Sequence, residues 1–360
     1  MANRLRRLFE LYTSDLSYSE IERLIKKESA EVYEFFSANI PKPDPKDSKF
    51  SRGIRFIKGL FNAFVLRLTP ARRIFYFVAL IMFFIGLNSN NTPYLLLSFI
   101  IVNLLIAFEL ADKLSLKSEL DIASKVQNSL VPSEPPVNEN YDISIFYEPA
   151  KVVSGDYFDF IKQRDDSLYY LVGDISGKGM SAALFMVQVR AIIHSLVNLF
   201  YNPKELLINL KNILFSDLPH GVFLTIIAAV IDKSGKINLS RAGHNPIFHY
   251  SKKEDCVKEI APKGLAIGFN DKNGVFSSML EYIELIPEKD DFVIFYTDGV
   301  TEAMNNQNEQ FGDFRLKEII LKYKESSAEE LKERIISGIY RFRGEAIQSD
   351  DITLTILKHK

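Results

Sequence analysis

From Ile74 to Phe108 the chain carries no charged side chain. A soluble helix needs a polar face, and a stretch this apolar cannot supply one. The run divides at Asn88-Ser89-Asn90-Asn91-Thr92-Pro93, where clustered asparagines and a proline favour a turn. The halves, Ile74–Leu87 and Tyr94–Phe108, are each shorter than the roughly 20 residues that cross a bilayer comfortably, but uncharged flanks lengthen them slightly. Two membrane helices are preferred here over a buried or re-entrant hairpin, because Asn103 is the only strongly polar side chain inside the second half. Arg67, Arg72 and Arg73 precede the run, and Lys113 and Lys117 follow it. Positive charge on both flanks puts both in the cytoplasm and leaves the asparagine-rich turn outside. A cleavable signal peptide does not begin this far into a chain.

The rest of the sequence reads as folded protein. Over 360 residues the apolar fraction is 47% and the charged fraction 25%, and a formal net charge of -2 gives no reason to expect nucleic acid as a partner. From Arg52 to Arg73 there are six basic residues and no acidic one. The single cysteine, Cys256, excludes an intrachain disulfide, and with five scattered histidines it argues against a zinc site. The organisation expected is a helical and basic cytoplasmic region over 1–73, containing a linker at Pro41-Lys42-Pro43-Asp44-Pro45, and a transmembrane hairpin over 74–108. A linker helix over 109–132 and a catalytic domain over 133–360 follow. Within 112–131, Leu116, Leu120, Ala123, Gln127 and Leu130 form one stripe, which suits packing on a neighbouring domain or on a twin in a homodimer.

Beyond Tyr141 the pattern becomes α+β. Strands are expected at Tyr141–Tyr147, Ser167–Val172, Phe223–Ile231, Lys236–Ser240, Tyr282–Ile286, Phe292–Tyr296 and Ile352–Leu357. Helices are expected at Ser181–Phe200, Pro203–Phe215, Arg315–Tyr323 and Ser327–Tyr340. Tight connections such as Asp232-Lys233-Ser234-Gly235 imply antiparallel pairing and exclude a doubly wound parallel sheet.

Aspartates end several of the apolar runs: Asp156 and Asp159, Asp174, Asp298, and the pair Asp350-Asp351. Aspartate is an ordinary turn residue, so one such position means little. Several carboxylates brought together would repel unless cations were present, and oxygen ligands without a Cys or His cluster select Mg²⁺ or Mn²⁺. Spacing alone leaves turn chemistry and metal binding both open. The glycine-rich stretch Gly173-Asp174-Ile175-Ser176-Gly177-Lys178-Gly179 lacks the order of a nucleotide-binding P-loop.

The sequence resembles the stage II sporulation E and sigma-B regulator branch of the metal-dependent PP2C-type phosphatases. The matching motifs, in the order that branch shows, are Ser154-Gly155-Asp156-Tyr157-Phe158-Asp159, Gly173–Gly179, Ala242-Gly243-His244-Asn245-Pro246, Gly264-Leu265-Ala266-Ile267-Gly268, Tyr296-Thr297-Asp298-Gly299-Val300-Thr301-Glu302-Ala303 and Asp350-Asp351-Ile352-Thr353. The resemblance implies an α-β-β-α sandwich of two antiparallel sheets flanked by helices, and a bacterial protein-serine/threonine phosphatase of the cytoplasmic membrane. It implies two or more Mn²⁺ or Mg²⁺ ions, with Asp174 bridging, the Ile175 carbonyl assisting, and Asp298 and Asp350 as further ligands. Asp156 would act directly or through water, Asp159 and Asp351 more remotely, and a metal-activated water would attack the phosphoserine of a signalling protein such as an anti-sigma-factor antagonist. Leu120, Ala123, Val126, Gln127 and Leu130 correspond to a helix that couples upstream regions to the site. Two departures stand out. Eukaryotic relatives place a histidine just after the bridging aspartate, where this chain has Ile175-Ser176-Gly177, and they clamp phosphate with an arginine. Lys151 is the nearby candidate for that clamp, although an exposed strand-edge lysine is its simpler reading. His244, without a close partner in sequence, is expected to fix its turn rather than to catalyse.

Overall fold

A computed structural model of the chain describes residues 58–360 except 60, 216–217, 220 and 270–273. The expected N-terminal helical pieces and proline linker lie outside the described residues. Two compact units divide between Ser115 and Leu116.

In the first unit, helix α1 (Pro70–Asn88) starts with Pro70, whose missing N–H costs nothing in a first turn. A turn at Ser89–Asn91, with Asn90 in the left-handed region at φ 49°, leads to α2 (Thr92–Asn128). The two helices are long and apolar enough to cross a membrane, and side chains such as Phe75, Ile81, Phe84, Phe99 and Ile106 are exposed along them. Close packing and a few polar ties join them. Gly86 lies against Leu95 so closely that a Cβ there would come within 2.9 Å of its side chain, and the buried Ser98 hydroxyl donates to Ala79 O at 2.9 Å. At the charged end Arg72 forks to Glu109 (2.8 Å) and Asp112 (2.6 Å). That fork brings the two flanks of the apolar run to the same end, as a hairpin requires. Sequence divides α2 into an apolar half and a polar linker. Glu109-Leu110-Ala111-Asp112 contains no helix breaker, however, and the helix continues through it for 37 residues in all.

The second unit is a four-layer sandwich. One sheet runs β1 (Tyr141–Glu148), β10 (Ile352–His359), β9 (Phe292–Tyr296), β6 (Ile247–Ser251), β7 (Cys256–Ile260). The other runs β2 (Asp156–Lys162), β3 (Leu168–Ile175), β4 (Leu224–Ile231), β5 (Ile237–Ala242), β8 (Ile283–Leu285), and every pairing in both is antiparallel. Alternation along each strand sends one set of side chains between the sheets: Phe158, Tyr170, Val172, Ile227, Val293, Phe295 and Leu357. The other set meets helices. On the second sheet, Tyr157, Tyr169, Leu171 and Ile226 pack beneath α3 (Met180–Leu196) and α4 (Pro203–Leu214) through Met186, Val189, Ile193 and Leu210. Two shorter helices, α5 (Val275–Met279) and α6 (Asp298–Thr301), punctuate later connections. On the first sheet, Phe248, Ile294 and Leu354 meet α7 (Gly312–Lys322) and α8 (Ala328–Arg343) through Leu316, Ile320, Leu331 and Ile335. Ser327 caps α8 by accepting from Glu330 N, the arrangement its Ser-x-x-Glu sequence favours. The sandwich expected from sequence is therefore present. Sequence reasoning missed β2, β6 and β7 as strands; β6 and β7 form a short hairpin that turns through the charged stretch Lys252–Asp255.

Candidate active site

Asp156 opens β2 and Asp174 lies near the end of β3, and the antiparallel register sets them directly opposite one another. Asp174 also faces Thr225 on β4. These three residues share the parity of Phe158, Tyr170 and Val172, so they form a polar row at one end of the space between the sheets. The first sheet answers with Thr297 and Asp298 after β9, and with Asp350, Asp351 and Thr353 around the start of β10. Gly299 makes this approach possible: a Cβ there would fall 1.9 Å from Asp351 O, so only glycine lets the Asp298 loop lie on the Asp350-Asp351 backbone. Gly155 serves the other side, where a Cβ would crowd Ile175 O at 3.0 Å and Asp174 Oδ1 at 3.4 Å.

Electrostatics register the crowding. Burial first, then the charges of Asp298, Asp350 and Asp351, push the Asp174 carboxyl up to about 7. Asp298 is pushed up to about 6 by burial and by Asp350 and Glu302, against the Gly299 N–H and Lys178, which act the other way. Asp156 is almost wholly buried, and that burial, with Asp174 beside it, raises its pKa well above the carboxylate range. Like charges placed across a ladder and taken out of water destabilise one another, and a hard cation is the remedy that an all-oxygen donor set accepts. Among the described residues no three carboxylate, histidine or cysteine side chains converge as a finished metal cage. Asp350 Oδ2 receives the Lys178 ammonium at 2.6 Å, and Asp156 Oδ2 accepts from Thr297 Oγ1 (2.8 Å) and Thr353 Oγ1 (2.5 Å). An all-oxygen donor set of this kind suits Mg²⁺ or Mn²⁺ in its chemistry.

The two secondary aspartates part company with this group. Asp159 stands three residues from Asp156, an odd step on a strand, so it faces the helix layer instead. There its Oδ2 lies 2.6 Å from His194 Nε2 and 3.5 Å from Arg190 Nε of α3. It is a buried ion-pairing residue and not a ligand candidate. Asp351 is occupied by the chain itself, accepting from Ala150 N (2.7 Å), Ser154 Oγ (2.7 Å) and Gly155 N (2.8 Å). It holds the loop that positions Asp156.

That loop is also held from α2. Gln127 is 3% exposed and pairs with the Ser154 backbone in both directions, its Nε2 donating to Ser154 O at 2.7 Å and its Oε1 accepting from Ser154 N at 2.9 Å. Ser154 Oγ in turn touches Asp351 and accepts from Asp156 N at 3.0 Å. Leu120, Ala123 and Leu130 are half-buried, whereas Val126 is exposed. His244 is buried and neutral: desolvation lowers its pKa to about 3, with the Tyr296 backbone opposing, and its Nδ1 lies 2.9 Å from Thr225 Oγ1. Its ring thus meets Thr225, the residue opposite Asp174. Lys151 is exposed, and the lysine that reaches the carboxylates is Lys178. Partial burial works against the Lys178 charge, but Asp350, with Asp298 and Asp351 behind it, holds the ammonium above its ordinary pKa. Sequence reasoning gave no role to Lys178, Thr297 or Thr353, although each adjoins or shares a motif with a named aspartate.

Comparison with known proteins accords with this geometry. A family model described as Stage II sporulation protein E (SpoIIE) matches residues 164–360. Phosphoserine phosphatase RsbU of Bacillus subtilis (strain 168) is 30% identical over 247 residues, which cover 68% of this chain and 71% of that protein. Phosphoserine phosphatase RsbP of the same organism is 26% identical over 66% of this chain, which spans only 57% of RsbP. Among solved structures, the SiaA-PP2C domain of Pseudomonas aeruginosa superposes with a TM-score of 0.60 at 21% identity, over 69% of this chain and 99% of that domain. The PP2C phosphatase domain of SpoIIE from Bacillus subtilis, with a fragment of its regulatory domain, gives 0.51 at 19% identity over 62% and 61%. These two establish likeness of fold.

Proposed function

Since the chain belongs to the SpoIIE family of PP2C-type phosphatases, we propose that it is a metal-dependent protein phosphatase acting on a phosphoserine signalling protein, with Asp174, Asp298, Asp350 and the Ile175 carbonyl as its metal-holding groups. The observation that carries the reading is the gathering of acidic side chains from both sheets at one end of the sandwich, where burial and mutual repulsion raise Asp174 and Asp298. Mn²⁺ or Mg²⁺ held there supplies charge neutralisation for the phosphoryl group and activation of water. The chain's own residues build the surroundings. Asp156, anchored by Thr297 and Thr353, sits in the inner row beside Asp174 and orients what binds in front of it. Thr225 backs the Asp174 carbonyl and is steadied by His244. Ser176, in the stretch after Asp174 where eukaryotic relatives carry a histidine, is engaged with Phe223, accepting from its N–H at 2.8 Å. Solvent then delivers the proton to the departing serine oxygen.

A serine-phosphorylated anti-sigma-factor antagonist is the leading substrate by family resemblance; the relatives' names support phosphoserine as the group removed. We place α1 and the first half of α2 in the bacterial cytoplasmic membrane, with the phosphatase in the cytoplasm; their length, apolar exposure and basic flanks support this. A homodimer through α2 would use the exposed Leu116, Ile122 and Val126. The direct test is hydrolysis of phosphoserine peptides by the full-length protein in detergent with Mn²⁺. Activity should vanish in EDTA, and Asp174→Asn should lose on the order of 10²-fold or more, while Lys151→Met and His244→Gln lose less. Undiminished turnover in EDTA would remove the metal from the reading, and an undiminished Asp174→Asn would remove Asp174 from its centre.

A further inference from the structure

Lys178 lies between Gly177 and Gly179, whose φ values of 106° and 82° put both in the left-handed region. A Cβ on either would meet nothing within 4 Å, so the backbone around the lysine is unpacked on both sides. The side chain, 47% exposed, is nevertheless drawn inward: Nζ donates to Asp350 Oδ2 and to Ser349 O, each at 2.6 Å. Asp350 Oδ1 already accepts from the Asp351 N–H at 3.0 Å, which leaves Oδ2 as the oxygen open to an ion. An ammonium at hydrogen-bond distance and a divalent cation cannot share it without placing two positive charges side by side.

We propose that Lys178 is a tethered counter-cation, which neutralises Asp350 in the metal-free enzyme and must leave that oxygen before Asp350 can serve as a ligand, so that it sets the metal concentration at which the enzyme becomes active. The proposal deepens the metal-dependent reading and rests on it. The unpacked glycines on either side give the lysine room to move away, and Asp298 and Asp351 draw it back when no stronger cation competes. Lys151 supplies the control: it is an exposed lysine in the neighbouring loop that carries the same charge without contacting Asp350.

The experiment measures metal binding rather than turnover. Full-length protein in detergent micelles, stripped with EDTA, is titrated with Mn²⁺ while the free ion is followed by electron paramagnetic resonance. Lys178→Met and Lys178→Gln should bind Mn²⁺ about three- to fivefold more tightly than wild type, the scale of a partly exposed ion pair. Lys178→Arg should stay near wild type, and Lys151→Met should shift little. Equal gains in Lys178→Met and Lys151→Met would reduce the effect to net charge and overturn the proposal, as would no gain in either Lys178 variant. Wild-type protein that takes up no Mn²⁺ would defeat the metal-dependent reading itself.

Discussion

Asp174 carries an unusual burden for one side chain. Its ordinary pKa of 3.8 is raised to about 7 in the folded chain, so it keeps a proton over a range in which an unfolded aspartate has lost it. Asp298, raised to about 6, behaves alike. The folded state then binds more protons than the unfolded one, and stability falls as pH rises from about 4 to about 7. In EDTA the melting temperature should decline through that interval, and the decline should be shallower for Asp174→Asn. Added Mn²⁺ should stabilise most at the upper end, where the carboxylates are ionised. A flat melting curve against pH in EDTA would show that these carboxylates do not press on one another.

At the scale of elements, the end of α2 matters most. Gln127 satisfies both the N–H and the C=O of buried Ser154, and Ser154 passes the constraint to Asp351 and Asp156. Gln127→Leu leaves two buried backbone groups unpaired, at about 1–3 kcal/mol each if nothing moves, so the 150–155 loop should relax instead. The expected result is a higher Mn²⁺ requirement for phosphatase activity, while Lys125→Ala, an exposed position of the same helix, leaves that requirement unchanged. Identical Mn²⁺ dependence in wild type and Gln127→Leu would mean that the helix does not act on the site. Much of this was legible beforehand. The stripe containing Gln127, the antiparallel strands, and the carboxylates of four separate motifs all announce themselves as local patterns. What escaped was side-chain direction and long-range pairing. Parity alone could have separated Asp159 from Asp156, had the run 156–162 been treated as a regular strand. No local pattern reveals that Lys178 reaches Asp350, because the two stand 172 positions apart in the chain. The continuity of α2 was hidden by the change from apolar to polar composition at Glu109, which alters the side chains of the helix and not its backbone.

For the molecule as a whole, the proposed membrane placement gives the apolar hairpin and the phosphatase unit different solvents. Carbonate extraction of membranes should leave the full chain in the pellet; its release would reduce the hairpin to a peripheral or re-entrant attachment. The unit that does the chemistry has its own internal tension. Its register sets Asp156 directly across from Asp174, with Asp298 and Asp350 near enough to raise the latter further, while hydrophobic partners on the same strands, Phe158 and Val172 among them, hold that register in place. Replacing Asp174 or Asp298, the two whose burial and neighbours raise them, with a neutral residue would relieve repulsion without disturbing the packed layers, and so would strengthen the metal-free fold. Selection for activity is then what keeps the acids there. A descendant released from that selection would drift first at these positions and gain stability with each loss. The inert copies that a lineage of such phosphatases leaves behind should therefore be sturdier than their working ancestor, intact in architecture and blank at one end of the sandwich.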